Sequence, residues 1–153
     1  MANAYAQIYI HLVFATKERC PNLTNQHQKQ IYAYMVSKAK ENECYVNAIG
    51  GTNDHIHLLI TLNQKHSISE IAKLLKGSTS HYINELKISP KHFEWQTGYG
   101  AFSVSQSSVS KVINYIQTQA EHHNKVTFAD EFQALLKKYE IIYDEKFVFE
   151  PVK

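Results

Sequence analysis

Residues 53–60 read Asn-Asp-His-Ile-His-Leu-Leu-Ile (NDHIHLLI), which is the composition of an interior strand apart from its two histidines. Side chains i and i+2 of a strand project from the same face, so His55 and His57 face one way and the aliphatic residues between them face the other. Two imidazoles whose Cα atoms lie about 7 Å apart can converge on one divalent cation if at least one further ligand joins them. We expect Asp54 to face away from the histidines, as a turn or strand-start residue. The same pattern also suits two polar residues on a solvated face.

The pattern around this strand predicts a β-α-β-β-α-β order followed by two helices. Gly50-Gly51-Thr52-Asn53 is turn chemistry that favours a hairpin, and Ser67-Ile68-Ser69-Glu70 is a capping box that begins a helix. The predicted strands are 4–15, 44–49, 54–62 and 101–105. The predicted helices run from Thr24 to Glu43, from Ser67 to Leu86, from Ser107 to His123 and onward from Thr127. The tail 141–149 is ambiguous, and a strand is one interpretation of it. This order predicts an α+β fold of the ferredoxin-like (split β-α-β) type, an antiparallel sheet with helices packed on it plus C-terminal helices.

Length and composition favour one compact domain over residues 1–153. The chain is 44% hydrophobic with 20% charged residues, so a real core is expected and disorder is not. A net charge of +2 is weak support for a polyanion partner, and two cysteines are too few for a disulfide scaffold. No run approaches the roughly 18 apolar residues of a membrane span, and the first residues lack a basic leader. We therefore expect a cytoplasmic protein with no membrane partner.

The segment SVSKVINYIQTQAEHH (108–123) predicts an amphipathic helix. Its apolar stripe is Val109, Val112, Ile113, Ile116 and Ala120. Tyr115 and Gln119 are four residues apart and border that stripe, so their side chains are neighbours, and the helix can present them at the edge or the face of the sheet. A tyrosine oxygen can attack phosphorus, and a glutamine carbonyl can complete the shell of a hard cation. Alternatively, Tyr115 is a packed aromatic residue with its hydroxyl on water.

The pair of motifs resembles a known family. HIH at 55–57 is followed about sixty residues later by YIQTQ at 115–119, and FEWQTGYGAFSVS (93–105) and AEHHNKVTFADEF (120–132) share the likeness. Together they resemble the single-tyrosine HUH transposases of small bacterial insertion sequences and the related REP-associated tyrosine transposases. The resemblance implies an HUH-nuclease type of fold and a homodimer in which one subunit's tyrosine helix can complete the other's histidine site. It also implies the cutting and rejoining of single-stranded DNA with hairpin ends.

The resemblance assigns roles by position. His55 and His57 match the paired metal ligands, Gln119 matches the third ligand, and Tyr115 matches the nucleophile that forms a 5′-phosphotyrosine. Mg²⁺ prefers oxygen ligands whereas Mn²⁺ accepts imidazole more readily, so either cofactor is expected to work and Mn²⁺ to bind better.

Other residues are candidates for contacts with DNA. Basic side chains can neutralise backbone phosphates and aromatic rings can stack on unpaired bases; the candidates are Lys17, Arg19, Lys73, Lys76 and Lys111, with Trp95 and Tyr99. Each lysine taken singly is more typical of a solvated surface residue, and packing in the core or at an interface is the alternative interpretation of Trp95. His11 is interpreted as a structural residue that shares the histidine face. Two alternatives remain: a non-catalytic single-stranded nucleic-acid-binding domain on the same fold, and a metal-dependent hydrolase of small phosphoesters.

Overall fold

The computed structural model describes residues 4–122 and 125–144, with the backbone alone at residue 122. Four strands form one sheet in the order β2-β3-β1-β4, and every neighbouring pair is antiparallel. The elements are β1 (Tyr9–Ala15), α1 (Asn25–Glu41), β2 (Tyr45–Gly51), β3 (His55–Thr61), α2 (Ile68–Glu85), β4 (Gly100–Val104), α3 (Val109–Gln117), α4 (Gln119–His122) and α5 (Phe128–Lys138). The ferredoxin-like order predicted from the sequence is therefore confirmed.

The alternation in β1 and β3 divides the sheet into two faces. The first face carries Leu12, Phe14, Ile56 and Leu58, which are all at most 2% exposed and pack in one cluster with α1 and α2. Burying each aliphatic side chain of this kind contributes about 1.5–3 kcal/mol. The second face carries the histidines, and it is also covered, because α3 and α5 pack on it. The first strand is thus buried on both faces.

Two side-chain caps fix where helices begin. The hydroxyl of Ser67 accepts the backbone N–H of Glu70 at the start of α2. The hydroxyl of Thr127 accepts the backbone N–H of Asp130 at the start of α5 in the same way. Each bond satisfies a backbone donor that has no partner inside the helix.

A glycine in β2 sets how closely α3 approaches the sheet. A Cβ atom at Gly50 would lie 2.3 Å from the backbone oxygen of Ile116, which is far inside van der Waals contact. Only a residue without a side chain lets that turn of α3 rest on the strand. Since Tyr115 precedes Ile116, this contact fixes the height of the tyrosine above the sheet.

The structure departs from the predicted boundaries in four places. Gly50 and Gly51, predicted as part of the hairpin turn, are the last two residues of β2. Regular pairing begins at Tyr9 rather than at residue 4, and Tyr5 is fully exposed. The helix predicted over 107–123 is interrupted at Thr118, whose hydroxyl donates to the carbonyl of Asn114 and competes with the helical pattern. Residues 141–144 have no regular structure, and the rest of the ambiguous tail lies outside the described residues. Among the described helices, none has the length and hydropathy needed to cross a bilayer.

Candidate metal and nucleophile site

Both histidines of β3 point into the second face of the sheet, as their spacing predicts. His55 and His57 are 0% exposed, and their ring centroids lie 5.2 Å apart. Buried imidazoles need partners for both ring nitrogens, since an unpaired buried polar atom is costly. The partners of these two rings therefore define the site.

The outer ring nitrogens face a carboxylate from α5. Nε2 of His57 lies 2.8 Å from Oε1 of Glu131, and Nε2 of His55 lies 3.5 Å from the same oxygen. Glu131 is only 3% exposed because Phe128 and Leu136 of the same helix anchor α5 in the core. The three side chains form a group able to hold a metal ion.

Glu131 was not among the residues singled out from the sequence. Its signal is a carboxylate on an otherwise apolar helix stripe, three residues after Phe128 and four before Leu135. An acidic residue in that position is rarely buried without a partner or a metal. This pattern could have been noticed, although it does not identify the partner.

The side chain of Gln119 also lies beside His55. The residue is 1% exposed, its amide N–H donates to the carbonyl of Tyr115 at 3.1 Å, and its Oε1 lies 3.4 Å from Nε2 of His55. Because the amide nitrogen is held by the backbone, the amide oxygen is directed at the histidine.

The spacing of these donor atoms suits a hard or borderline divalent cation. Neighbouring ligands of an octahedral ion with bonds of about 2.1 Å lie about 3 Å apart. The distances of 2.8, 3.4 and 3.5 Å between the histidine nitrogens and the Gln119 and Glu131 oxygens are of that size. Two imidazoles with two oxygens suit Mn²⁺ and are acceptable to Mg²⁺.

Tyr115 lies beside this cluster. Its hydroxyl donates a short hydrogen bond to Oε2 of Glu131, and its ring centroid is 5.6 Å from that of His57. Burial and, secondarily, the Glu131 carboxylate raise the pKa of the Tyr115 phenol above its ordinary value. The phenol therefore holds its proton at neutral pH, and that proton is already in contact with Glu131.

The inner ring nitrogens have partners of their own. Nδ1 of His55 lies 2.7 Å from Oδ1 of Asp54, which also accepts the Thr52 hydroxyl at 2.9 Å. The expectation that Asp54 faces away is therefore wrong: strand alternation does not apply to it, because β3 begins at His55. Burial opposes a charge on His55, but the carboxylates of Asp54 and Glu131 outweigh it and raise the pKa of His55.

His11 is the partner of the second ring. Its Nε2 lies 2.8 Å from Nδ1 of His57, and the residue is 3% exposed. Burial, together with the neighbouring His57, lowers the pKa of His11 to about 3, so this imidazole is neutral at physiological pH. The interpretation of His11 as a residue on the histidine face is correct, and it contacts a predicted ligand directly.

The predicted DNA contacts are divided among separate surfaces. Lys73, Lys76, Trp95 and Tyr99 line an open cleft of about 780 Å³ between α2 and the 92–99 loop. Arg19 lines a second cavity near Asp54, of about 650 Å³, and Lys111 lines a third, of about 860 Å³, that includes Tyr115.

Three of the predicted contacts already have partners within the protein. Lys17 forms an ion pair with Glu94 at 3.0 Å. The ammonium of Lys76 donates to the carbonyls of Gln96 and Gly98, both at 2.7 Å. The indole N–H of Trp95 donates to the carbonyl of Lys76, and its ring packs against Phe14 and Phe93. These interactions give the three residues a structural role whether or not they also contact DNA.

Comparisons with known proteins match this chain to a transposase family and to one relative within it. The family described as Transposase IS200 like matches residues 4–119, so Glu131 lies beyond the matched part. The ISDra2 transposase TnpA of Deinococcus radiodurans is 23% identical over 118 residues, which cover 74% of this chain and 84% of that protein.

Two solved structures share the fold. A Deinococcus radiodurans R1 protein assigned as a transposase superposes with a TM-score of 0.62 at 22% identity, covering 78% of this chain and 95% of that one. A REP-associated tyrosine transposase bound to a REP hairpin superposes with a TM-score of 0.61 at 13% identity, covering 100% of this chain and 96% of that one. At these identities the likeness establishes the fold.

Proposed function

Because this chain belongs to the IS200-like transposase family, we propose that it cuts and rejoins single-stranded DNA through a covalent bond to Tyr115. The observation that carries the proposal is the meeting of the Tyr115 hydroxyl, the Glu131 carboxylate and the rings of His55 and His57 in one buried cluster. These residues combine a nucleophile, a proton acceptor and metal ligands, which is the set that phosphoryl transfer to a tyrosine requires.

We assign the ligands of a divalent cation, Mg²⁺ or Mn²⁺, to His55, His57, Gln119 and Glu131. Such a cation would withdraw charge from the scissile phosphate and so make phosphorus a better electrophile. The sequence predicted three of these ligands, and the fourth is supported by the contact between Oε1 of Glu131 and both histidines.

The two carboxylate oxygens of Glu131 have different roles in this mechanism. Oε1 faces the histidines, while Oε2 accepts the hydrogen bond of Tyr115 and takes its proton as the phenolic oxygen attacks. The Tyr115 oxygen–phosphorus bond forms as the bond from phosphorus to the 3′ oxygen breaks, and that oxygen leaves as a 3′ hydroxyl after gaining a proton. The resulting 5′-phosphotyrosine keeps the phosphate as an ester, so a second 3′ hydroxyl can displace Tyr115 and rejoin the strands without an external energy source.

The strand reaches Tyr115 through the cavity between β4, α3 and α5. Of the cavities in the described part of the chain, this one, of about 860 Å³, contains both Tyr115 and Glu131 in its wall. Lys111 from α3 and Lys138 from α5 stand in the same wall and are exposed, with Asp130 as the opposing charge. The two lysines can neutralise the phosphates on either side of the scissile one.

Substituting the cavity lysines provides a test of this path. We expect Lys111→Ala and Lys138→Ala, each made in the Tyr115→Phe background to prevent cleavage, to weaken binding of a single-stranded oligonucleotide severalfold. Each variant should lower the slope of log affinity against log salt by about 0.7, because one phosphate contact is lost. Fluorescence anisotropy over a salt series measures both quantities.

Lys137 supplies the matched control. It is exposed on the same helix, next to Lys138, and is absent from the cavity wall. Lys137→Ala should leave the affinity within the error of the titration. An equal loss in Lys137→Ala and Lys138→Ala would mean that overall charge, not the cavity, governs binding.

We also propose that the tyrosine acts on its own subunit's histidines. The Tyr115 and His57 rings lie 5.6 Å apart within the fold of a single chain, so bringing them together requires no exchange of α3 between subunits. The homodimer implied by the family resemblance, the single domain over 1–153 and the cytoplasmic location stay predictions. The proposal concerns only which histidine pair each tyrosine serves.

Mixing two inactive variants separates the two arrangements. Tyr115→Phe lacks the nucleophile and His57→Ala lacks a ligand, so each alone should form no adduct. If Tyr115 serves its own subunit, the mixture stays at background, because no chain carries both groups. Recovery of adduct after co-expression of the two variants would instead demonstrate exchange of the tyrosine helix between subunits.

A further inference from the structure

The proposed mechanism leaves one buried titratable group of the site without a role. His11 lies in the middle of β1, opposite Leu59 of β3, and is 3% exposed. Its Nε2 is 2.8 Å from Nδ1 of His57, with the ring centroids 5.0 Å apart and the planes tilted by 33°. This is hydrogen-bond geometry rather than stacking.

The chemistry of a ligating imidazole explains why such a partner is needed. A neutral imidazole that coordinates through Nε2 carries its only proton on Nδ1. In a buried site that N–H needs an acceptor, and the acceptor fixes both the tautomer and the rotation of the ring. Nε2 of His11 lies in hydrogen-bond distance of Nδ1 of His57 and is placed for this task.

We propose that His11 is a positioning residue of the metal site: it accepts the Nδ1–H of His57 and so directs Nε2 of His57 towards Glu131 and the cation. The inference rests on the metal site proposed above. Asp54 holds the other ring in the corresponding way, since its Oδ1 lies 2.7 Å from Nδ1 of His55. The two ligand imidazoles are thereby anchored at their inner nitrogens by different groups, a carboxylate in one case and a neutral imidazole in the other.

The strand register places His11 where it can contact His57. His11 pairs with Leu59, and residues i and i+2 share a face, so its side chain lies beside the His57 row on the second face. The ring is further held at its edge by Phe102 of β4, at a centroid distance of 6.0 Å. An acceptor supplied by a rigid central strand is held more firmly than one supplied by a loop.

The test compares two substitutions of His11 by the Mn²⁺ affinity of the protein. The Gln side chain can place its amide oxygen near the position of the Nε2 atom, whereas Leu fills the volume without an acceptor. We expect His11→Leu to weaken Mn²⁺ binding about 10- to 100-fold, which is the usual effect of losing such a partner. His11→Gln should recover most of that loss. Isothermal titration calorimetry with Mn²⁺ alone measures both, without any need for cleavage.

Thr79→Val is a control for loss of a buried polar group away from the site. Thr79 is 0% exposed and lies on α2, against the opposite face of the sheet. It should not change the Mn²⁺ affinity. If His11→Leu does not fold, His11→Gln and nuclear magnetic resonance of the wild type still test the role of His11. Two-bond ¹H–¹⁵N spectra at saturating Mg²⁺ should place the His11 proton on Nδ1. Nε2 of His11 is then free of a proton and can accept the hydrogen bond from His57.

The outcomes separate this inference from the function it rests on. Wild-type protein that binds no Mn²⁺ would overturn the metal site itself. Wild-type protein that binds Mn²⁺ while His11→Leu binds it equally well would overturn only the role of His11. A His11 proton found on Nε2 in the Mg²⁺-saturated protein would overturn that role as well.

Discussion

Replacing Tyr115 with phenylalanine should abolish the covalent protein–DNA adduct and leave the binding of single-stranded DNA nearly unchanged. The substitution removes one oxygen atom, which is the atom proposed to bond to phosphorus, and keeps the ring that packs near His57. Since phenylalanine has no oxygen with which to form the covalent bond, we expect adduct formation to fall by at least about 10³-fold. The product joins the protein to a 5′ phosphate, so the oligonucleotide is labelled at its 3′ end and the adduct is read on a denaturing gel.

Tyr139→Phe is the matched control for this substitution. Tyr139 lines the same cavity and stacks on Phe102 at 4.7 Å between ring centroids. The adduct yield of Tyr139→Phe should equal that of the wild type. Because the recognised sequence is unknown, the probes are single-stranded oligonucleotides that tile the DNA on either side of the gene.

Two further assays of the wild-type protein, a native gel for binding and the turnover of a small phosphodiester, separate the alternative functions. Wild-type protein that shifts these oligonucleotides in a salt-sensitive manner but forms no adduct and no cleavage product is a binding domain. Cleavage of a small phosphodiester without any adduct indicates a hydrolase. An adduct of undiminished yield in Tyr115→Phe would remove Tyr115 from the mechanism.

Glu131→Gln should be almost as damaging, although the change is nearly isosteric. It removes the negative charge that faces His55 and His57, and it removes the group that accepts the phenolic proton of Tyr115. The loss of a proton acceptor alone usually costs about 10²- to 10⁴-fold. We therefore expect adduct formation to drop by at least about 10²-fold and Mn²⁺ binding to weaken, measured by a 3′-labelled adduct assay and by calorimetry.

The preceding residue in the chain, Asp130, supplies the control. Asp130 carries the same charge at the start of the same helix but is exposed. Asp130→Asn should keep both adduct formation and Mn²⁺ affinity. Full activity in Glu131→Gln, with loss of activity in Gln119→Ala, would return the third ligand position to Gln119 alone, as the sequence predicted.

Much of the fold follows from local patterns in the sequence. The two-residue alternation of NDHIHLLI places the histidines on one face of β3, and the structure confirms that placement. The caps at Ser67 and Thr127 begin α2 and α5 where their chemistry predicts. These features depend on neighbours within four residues, so the sequence determines them before any tertiary contact forms. The resemblance carried by HIH and YIQTQ identified the family for the same reason: both motifs are short and continuous.

The complete site required the tertiary structure. Glu131 contacts His57 although the two are 74 residues apart in the sequence, and His11 contacts His57 from 46 residues away. A local periodicity cannot predict contacts between residues so far apart in the chain. Whether the carboxylate on α5 faces the histidines depends on how the apolar residues around Phe128 rotate that helix against the sheet. The sequence by itself determined that the two imidazoles share one face of β3 and that Tyr115 lies on an amphipathic helix. Only the packing of α3 and α5 decided which groups surround those imidazoles, because side-chain contacts between elements are set by docking and not by local propensity.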